Sequence, residues 1–275
     1  MSKKTTVSLQ SMKADGEKIT MVTAYDYSGA MLAEKAGIDT ILVGDSLQMV
    51  MLGDDETVSA TMESMIHHTK AVVKGAPDTF VITDLPFGSY QIYEELAVAN
   101  AVRCMKEARC DAVKLEGGKR MEHIIRAVTN AGIPVVGHVG LTPQTTAMLG
   151  GFKVQGKGDA AKEVLEDALA AERAGACMIV LECIPGKLAG LISKRLTVPT
   201  IGIGAGNKCD GQVLVYHDLL GLFDKFVPKF VKVYRNLGNE IVEGISEYIS
   251  EVKSGVFPTE EKSFGGVTDE DLKNL

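Results

Sequence analysis

Four short apolar runs in this sequence each lead to a carboxylate. Thr40–Ser46 reads T-I-L-V-G-D-S, and Phe80–Asp84 reads F-V-I-T-D before Pro-Phe-Gly. Ala112–Glu116 reads A-V-K-L-E before Gly-Gly, and Met178–Glu182 reads M-I-V-L-E before Cys-Ile-Pro-Gly. Runs this short, rich in Val and Ile and bounded by Gly or Pro, read as strands. An Asp after a strand has an ordinary explanation as the N-cap of the following helix. That accounts for Asp45 or Asp84 but poorly for Glu116 and Glu182, because Glu is not a favoured cap. If the four strands are parallel neighbours, their acids meet at one rim. Carboxylates crowded in a dry site repel one another and need protons or a cation. Donors that are all oxygen suit Mg²⁺ or Mn²⁺ rather than zinc.

Other residues near these strand ends carry chemistry of their own. Lys114 lies two positions before Glu116, so both side chains share a face of the strand. A buried Lys needs a partner. It either plugs the interior as an ion pair or holds a substrate carboxylate beside the metal, and the excess of acids favours the second. Glu182 follows four apolar residues, a setting expected to raise a carboxyl pKa. A carboxyl tuned in that direction can act as general base or acid; the bland alternative is a buried Glu bonded to backbone or Lys. His138, in V-V-G-H-V-G, also ends a strand. A lone His there is more often a hydrogen-bonded core residue than a ligand, and it is assigned at most a polar contact in a substrate pocket. His67 and His68 are neighbours on a predicted helix and face different sides, so they cannot jointly chelate a metal. Gly202–Gly206 (G-I-G-A-G) lacks the full dinucleotide fingerprint, and no P-loop pattern is present.

The elements that must position these groups alternate regularly. Strands are predicted at residues 19–24, 39–44, 79–84, 112–116, 134–138, 176–182, 199–204 and 212–215. Helices are predicted at 27–35, 61–74, 90–108, 119–131, 160–174 and 187–196, with a long amphipathic helix over 231–252. Sustained β-α alternation implies a parallel sheet. Eight units within 275 residues favour a closed (β/α)₈ TIM barrel, one domain over 1–275, over an open doubly wound sheet. Barrel sites lie at the C-terminal strand ends, where the acids are. Residues 8–16 read as a polar lead with one helical turn, 47–60 as a lid, 140–159 as a long Gly-rich connection, and 257–275 as a polar tail.

Bulk composition narrows the function. The net charge is −7, and no Lys/Arg-rich run appears, which argues against nucleic acid and anionic membrane as partners. The five cysteines form no C-x-x-C, which suits a reducing cytoplasm and argues against disulfides or a zinc site. The N-terminus lacks an apolar signal core, and no run approaches membrane-spanning length.

A set of motifs then stands out: T-A-Y-D-Y (Thr23–Tyr27), L-V-G-D-S (Leu42–Ser46), D-L-P-F-G-S-Y (Asp84–Tyr90) and V-K-L-E-G-G (Val113–Gly118). With them come G-H-V-G-L-T-P-Q (Gly137–Gln144), G-F-K-V-Q-G (Gly151–Gly156), L-E-C-I-P (Leu181–Pro185), G-I-G-A-G and D-G-Q-V-L-V (Asp210–Val215). Together they resemble the ketopantoate hydroxymethyltransferase family over about residues 20–264. The resemblance implies a (β/α)₈ barrel that transfers a hydroxymethyl group from 5,10-methylenetetrahydrofolate to 3-methyl-2-oxobutanoate, giving 2-dehydropantoate for pantothenate and coenzyme A synthesis. It implies one Mg²⁺ per subunit at Asp45, Asp84 and Glu116, a keto-acid site at Asp45, Ser46, Asp84 and Lys114, and Glu182 as base toward a metal-stabilised enolate. It also implies a cytoplasmic homodecamer. Gln48, Leu85 and Thr145 depart from the family's usual Gly, Met and Ser without removing a charged residue. Two rivals are a metal-dependent keto-acid aldolase or lyase of the isocitrate-lyase type, which would need no folate, and a catalytically silent oligomeric binding protein.

Overall fold

Hydrogen bonding between parallel strands runs all the way round and closes on itself. The structure is a computed structural model describing residues 3–223, 225 and 227–273. Met1, Ser2, Asp224, Phe226 and the last two residues of the predicted tail, Asn274 and Leu275, lie outside the described residues. The strands are β1 (Ile19–Thr23), β2 (Thr40–Val43), β3 (Phe80–Asp84), β4 (Ala112–Glu116), β5 (Val135–Gly140), β6 (Met178–Glu182), β7 (Thr200–Ile203) and β8 (Gly211–Leu214). Each pairs in parallel with the next, and β8 returns to β1. The arrangement is therefore the closed (β/α)₈ barrel and not the open doubly wound sheet.

The two-residue period of the strands sorts the apolar residues into two cores. Met21, Leu42, Ile82, Val136, Val180 and Ile201 point into the barrel. Their neighbours Val22, Ile41, Val81, Ile179 and Leu181 point out and pack against the helices. The packing helices are α2 (Tyr27–Lys35), α3 (Met62–Gly75), α4 (Glu94–Arg103), α5 (Glu122–Asn130), α6 (Ala160–Arg173) and α7 (Gly186–Arg195); α1 (Thr6–Asp15) and α8 (Leu237–Ser254) lie outside that layer. The single helix expected over 90–108 starts only at Glu94 and ends in a π-helical turn, Cys104–Ala108. Residues 89–93 stay out of it because Ser89 N donates back to Pro86 O and Gly88 N to Gln91 Oε1, fixing a bend ahead of the helix.

Three other segments differ from expectation. The polar lead is a ten-residue helix, α1, whose Thr5 cap and Ser8 bond each other's backbone N–H reciprocally. Its two buried residues, Leu9 and Met12, join the barrel interior from the N-terminal end. Lys13 Nζ fastens the helix there by donating to Ser193 O (2.8 Å), Val198 O (2.9 Å) and Asp210 Oδ2 (2.8 Å). The 47–60 connection is folded rather than open: Leu47–Val50 form a short helix, and Gln48 Nε2 donates to Asp54 Oδ2 (3.0 Å) and Ser59 Oγ (2.8 Å). The last long helix begins after Asn236 rather than at 231, because the preceding stretch runs irregularly and Tyr234 N donates to Leu219 O at 2.8 Å. That helix, α8, buries none of its residues, and Ile241, Val242, Ile245, Tyr248 and Ile249 are all exposed.

Leu9→Ala should destabilise the protein by about 2–5 kcal/mol, the usual cost of emptying a packed leucine site. Urea unfolding would measure it; a change near zero would show that α1 contributes nothing to the interior.

Candidate active site

The register of neighbouring strands brings the acids and cations to one mouth. Asp84 on β3 lies opposite Lys114 on β4, and Glu116 lies opposite His138 on β5. Glu182 closes β6 opposite Gly140. These five share the inward parity of Ile82, Val136 and Val180, so they line the C-terminal opening of the barrel. Asp45 and Ser46 follow Gly44 at the end of β2, where Asp45 N donates to Asp84 Oδ2 at 3.1 Å. A Cβ on Gly44 would stand 3.0 Å from Ser46 Oγ and 3.4 Å from Asp84 Oδ2, so a side chain there would crowd the turn. All seven residues expected at a site are thus gathered at the same end.

The electrostatics follow from the crowding. Burial, together with the Asp84 and Glu116 charges, pushes the Asp45 carboxyl up to about 8 against the opposing pull of Lys114 and Gln144. Burial also raises Asp84, with Lys114 opposing it. Burial alone would lower Lys114, but Asp84, Glu116 and Asp45 outweigh it and hold the ammonium charged. Lys114 Nζ lies 3.0 Å from Asp84 Oδ1 and 3.2 Å from His138 Nδ1. Burial and Lys114 pull the His138 imidazole down, yet Glu116 and Glu182 leave it raised to about 9. The Lys114 contact is a hydrogen bond only when Nδ1 is unprotonated, so ammonium and carboxylates compete for the ring. In both forms Nε2 carries hydrogen and faces Glu182 Oε2 at 3.1 Å.

Glu182 does not sit in the dry setting its sequence neighbours imply. Ile179 and Leu181 face the helices, and the Glu182 side chain keeps 16 % exposure beside His138. It is the most open acid of the group.

The mouth suits a hard cation. Three carboxylates face the Lys114 ammonium and the His138 ring, with Asp84 Oδ1 ion-paired to Lys114 Nζ at 3.0 Å and Glu116 Oε1 met only by His138 Nδ1 at 3.5 Å. Among the described residues no three His, Cys, Asp or Glu side chains already converge as a ligand set. Mg²⁺ does not demand one, since it is usually held by one or two carboxylates with waters and substrate oxygens completing the shell.

Two residues not expected at the site also belong to it. Tyr90 and Gln144 are buried among the carboxylates, with Tyr90 Oη donating to Gln144 Oε1 at 2.7 Å. Their only sequence signal is membership of the D-L-P-F-G-S-Y and L-T-P-Q motifs. On the β1 side, Tyr25 Oη and Ser46 Oγ are 2.9 Å apart, and burial pushes the Tyr25 hydroxyl up.

Comparison with known proteins fixes the family. A sequence model described as ketopantoate hydroxymethyltransferase matches residues 3–260. The chain belongs to the ketopantoate hydroxymethyltransferase family. It is 56 % identical to the 3-methyl-2-oxobutanoate hydroxymethyltransferase of Heliobacterium modesticaldum over 277 aligned positions, covering 100 % of both chains. With the enzyme of that name from Moorella thermoacetica the identity is 58 % over 264 positions, covering 96 % of this chain and 98 % of the relative. Among solved structures, a phosphonopyruvate hydrolase complex with oxalate and Mg²⁺ superposes with a TM-score of 0.60 at 15 % identity, covering 100 % of this chain and 94 % of the other. A 2,3-dimethylmalate lyase superposes with a TM-score of 0.58 at 16 % identity, covering 98 % and 97 %. At such identities the likeness is one of fold alone.

Asp218, in the short helix Tyr216–Leu220 after β8, is pushed up to about 6 by burial. Its folded pKa lies above its unfolded value near ~3.9, so the native state binds the extra proton between them, and stability falls as pH rises through that window. Asp218→Asn should flatten this slope between about pH 4 and 6. Thermal melts across that range would test it, and an unchanged slope would remove Asp218 as its source.

Proposed function

We propose that this chain transfers a hydroxymethyl group from 5,10-methylenetetrahydrofolate to 3-methyl-2-oxobutanoate, giving 2-dehydropantoate for pantothenate synthesis. The observation that carries the reading is the buried group Asp45, Asp84, Glu116 and Lys114 at the barrel mouth of a chain from this family.

The acceptor carbon of the keto acid, C3, bears a single hydrogen beside a ketone and is barely acidic in water. Asp45, Asp84 and Glu116 would hold Mg²⁺, which supplies Lewis-acid stabilisation of the negative charge that grows on the keto oxygen. Lys114 and Ser46 orient the substrate carboxylate, with Tyr25 holding the Ser46 hydroxyl at 2.9 Å. Glu182, the most open of the acids, takes the C3 proton. His138 Nε2, 3.1 Å away, is its ion-pair neighbour and adds a polar contact to the pocket. Carbon C3 then forms a bond to the methylene carbon of the folate in its opened iminium form, and the remaining bond from that carbon to the folate nitrogen is broken as water oxygen replaces the nitrogen, which leaves carrying a proton. The overall transfer consumes one water, which supplies the hydroxyl oxygen, and releases tetrahydrofolate.

The lyase alternative draws only on fold likeness at 12–16 % identity, whereas relatives at 54–58 % identity carry the hydroxymethyltransferase name. The silent binding protein is disfavoured by the intact acids and Lys114. The wild-type chain should exchange the C3 hydrogen into deuterated water with Mg²⁺ and make product only when the folate is added; turnover of keto acid without folate would point to the lyase. Glu182→Gln should retain keto-acid binding while exchange falls ~10²–10⁴-fold, the usual share of a general base. Undiminished exchange would take the base role away from Glu182.

We further propose a cytoplasmic homo-oligomer, a decamer by resemblance to the family. Two observations support it. All five cysteines are free, and the apolar side chains Ile241, Val242, Ile245 and Ile249 of α8 stay exposed among the described residues. No helix among the described residues is long and apolar enough to cross a membrane. Ile245→Glu, on that face, should shift sedimentation toward smaller species; an unaltered profile would separate α8 from subunit contacts.

A further inference from the structure

The connection after β5 carries a neutral side chain into the centre of the charged group. Gln144 stands in the turn Pro143–Thr145 and is 4 % exposed. Its Nε2 donates to Asp45 Oδ2 and to Leu85 O, both at 2.9 Å. Its Oε1 accepts from Tyr90 Oη at 2.7 Å and from Gln91 Nε2 at 3.1 Å. A carboxamide has two donor hydrogens and two acceptor lone pairs, and all are used. The orientation of the amide is therefore fixed: Leu85 O can only accept, so the nitrogen must face it. The backbone N–H of the same residue donates to Glu116 Oε2 at 3.0 Å. Glu116 N in turn donates to Tyr90 Oη at 3.0 Å, which closes a ring through Tyr90, Gln144 and Glu116.

One residue thus grips two carboxylates that belong to strands not adjacent in the barrel. It engages one oxygen of each. On Glu116 the other oxygen, Oε1, is left outside that grip, with His138 Nδ1 beside it at 3.5 Å. We propose that Gln144, locked by Tyr90, is a positioning residue that orients the Asp45 and Glu116 carboxylates for a divalent cation while leaving Glu116 Oε1 outside its own grip. This rests on the metal role given above to those carboxylates. Partners that orient ligand side chains typically change metal affinity 10–100-fold when altered, by general experience with such sites (roughly that range).

The test measures Mn²⁺ binding by electron paramagnetic resonance in the full chain, without folate, so that no turnover is read. Asp45→Asn tests the metal role itself. Gln144→Glu keeps the shape and still accepts from Tyr90, but it sets an acceptor against Asp45. Tyr90→Phe removes one hydroxyl from the ring and serves should Gln144→Glu fold poorly. The expected result is loss of Mn²⁺ binding in Asp45→Asn, a Kd raised ~10–100-fold in Gln144→Glu, and a smaller rise in Tyr90→Phe. If Asp45→Asn loses binding while Gln144→Glu and Tyr90→Phe bind like wild type, the positioning role is overturned and the metal role stands. A lower melting temperature with unchanged Kd also overturns it, since that marks a purely structural residue. If the wild type binds no Mn²⁺, or Asp45→Asn binds as tightly as wild type, the metal role falls and the positioning role with it.

Discussion

Inside the C-terminal mouth three carboxylates, Asp45, Asp84 and Glu116, surround a single ammonium, Lys114, in a wall that admits almost no water. Two like charges ~4 Å apart interact by about 4 kcal/mol at the effective dielectric near a protein surface, and by more where water is excluded. Burial first, and the repulsion among the acids after it, raises the Asp45 and Asp84 carboxyls, with Lys114 opposing both shifts. The barrel tolerates the arrangement because its two apolar layers, inside and outside the strands, hold the strand ends in place regardless. The charge imbalance is then available for binding: a cation entering the mouth meets oxygens whose repulsion it relieves.

Geometry distributes the labour within that mouth. The β3–β4 and β4–β5 registers set Asp84 against Lys114 and Glu116 against His138 directly across neighbouring strands. Asp45 has no such support, since it lies past the end of β2. It is held instead by its own backbone bond to Asp84 and by the amide of Gln144. Glu182 stands beside His138 and retains contact with solvent.

Much of this was readable in the amino-acid sequence, for a physical reason. Strand alternation with helices fixes the barrel, and the period of two fixes which of Lys114, Leu115 and Glu116 point inward. What the sequence concealed depends on contacts between distant residues. Gln144 is neutral and sits in a turn, so nothing local distinguishes it, and its meaning comes from Asp45, far back in the chain. The fold of 47–60 hangs on Gln48 reaching Asp54 and Ser59, a matter of rotamer rather than pattern. The dryness inferred for Glu182 failed because the run Met178–Leu181 divides its side chains between the two sides of the barrel wall. The first helix was understated because only Leu9 and Met12 in it are buried, too few for a periodic signal.

That first helix has a bearing on how the chain matures. Lys13 is anchored to Ser193, Val198 and Asp210, between 180 and 197 positions away. Contacts of such separation form late, because the loop entropy must be met before they contribute. The helix α1 therefore waits until the chain through Asp210 is in place before it can be seated, and until then Leu9 and Met12 remain open to chaperones or to unwanted association.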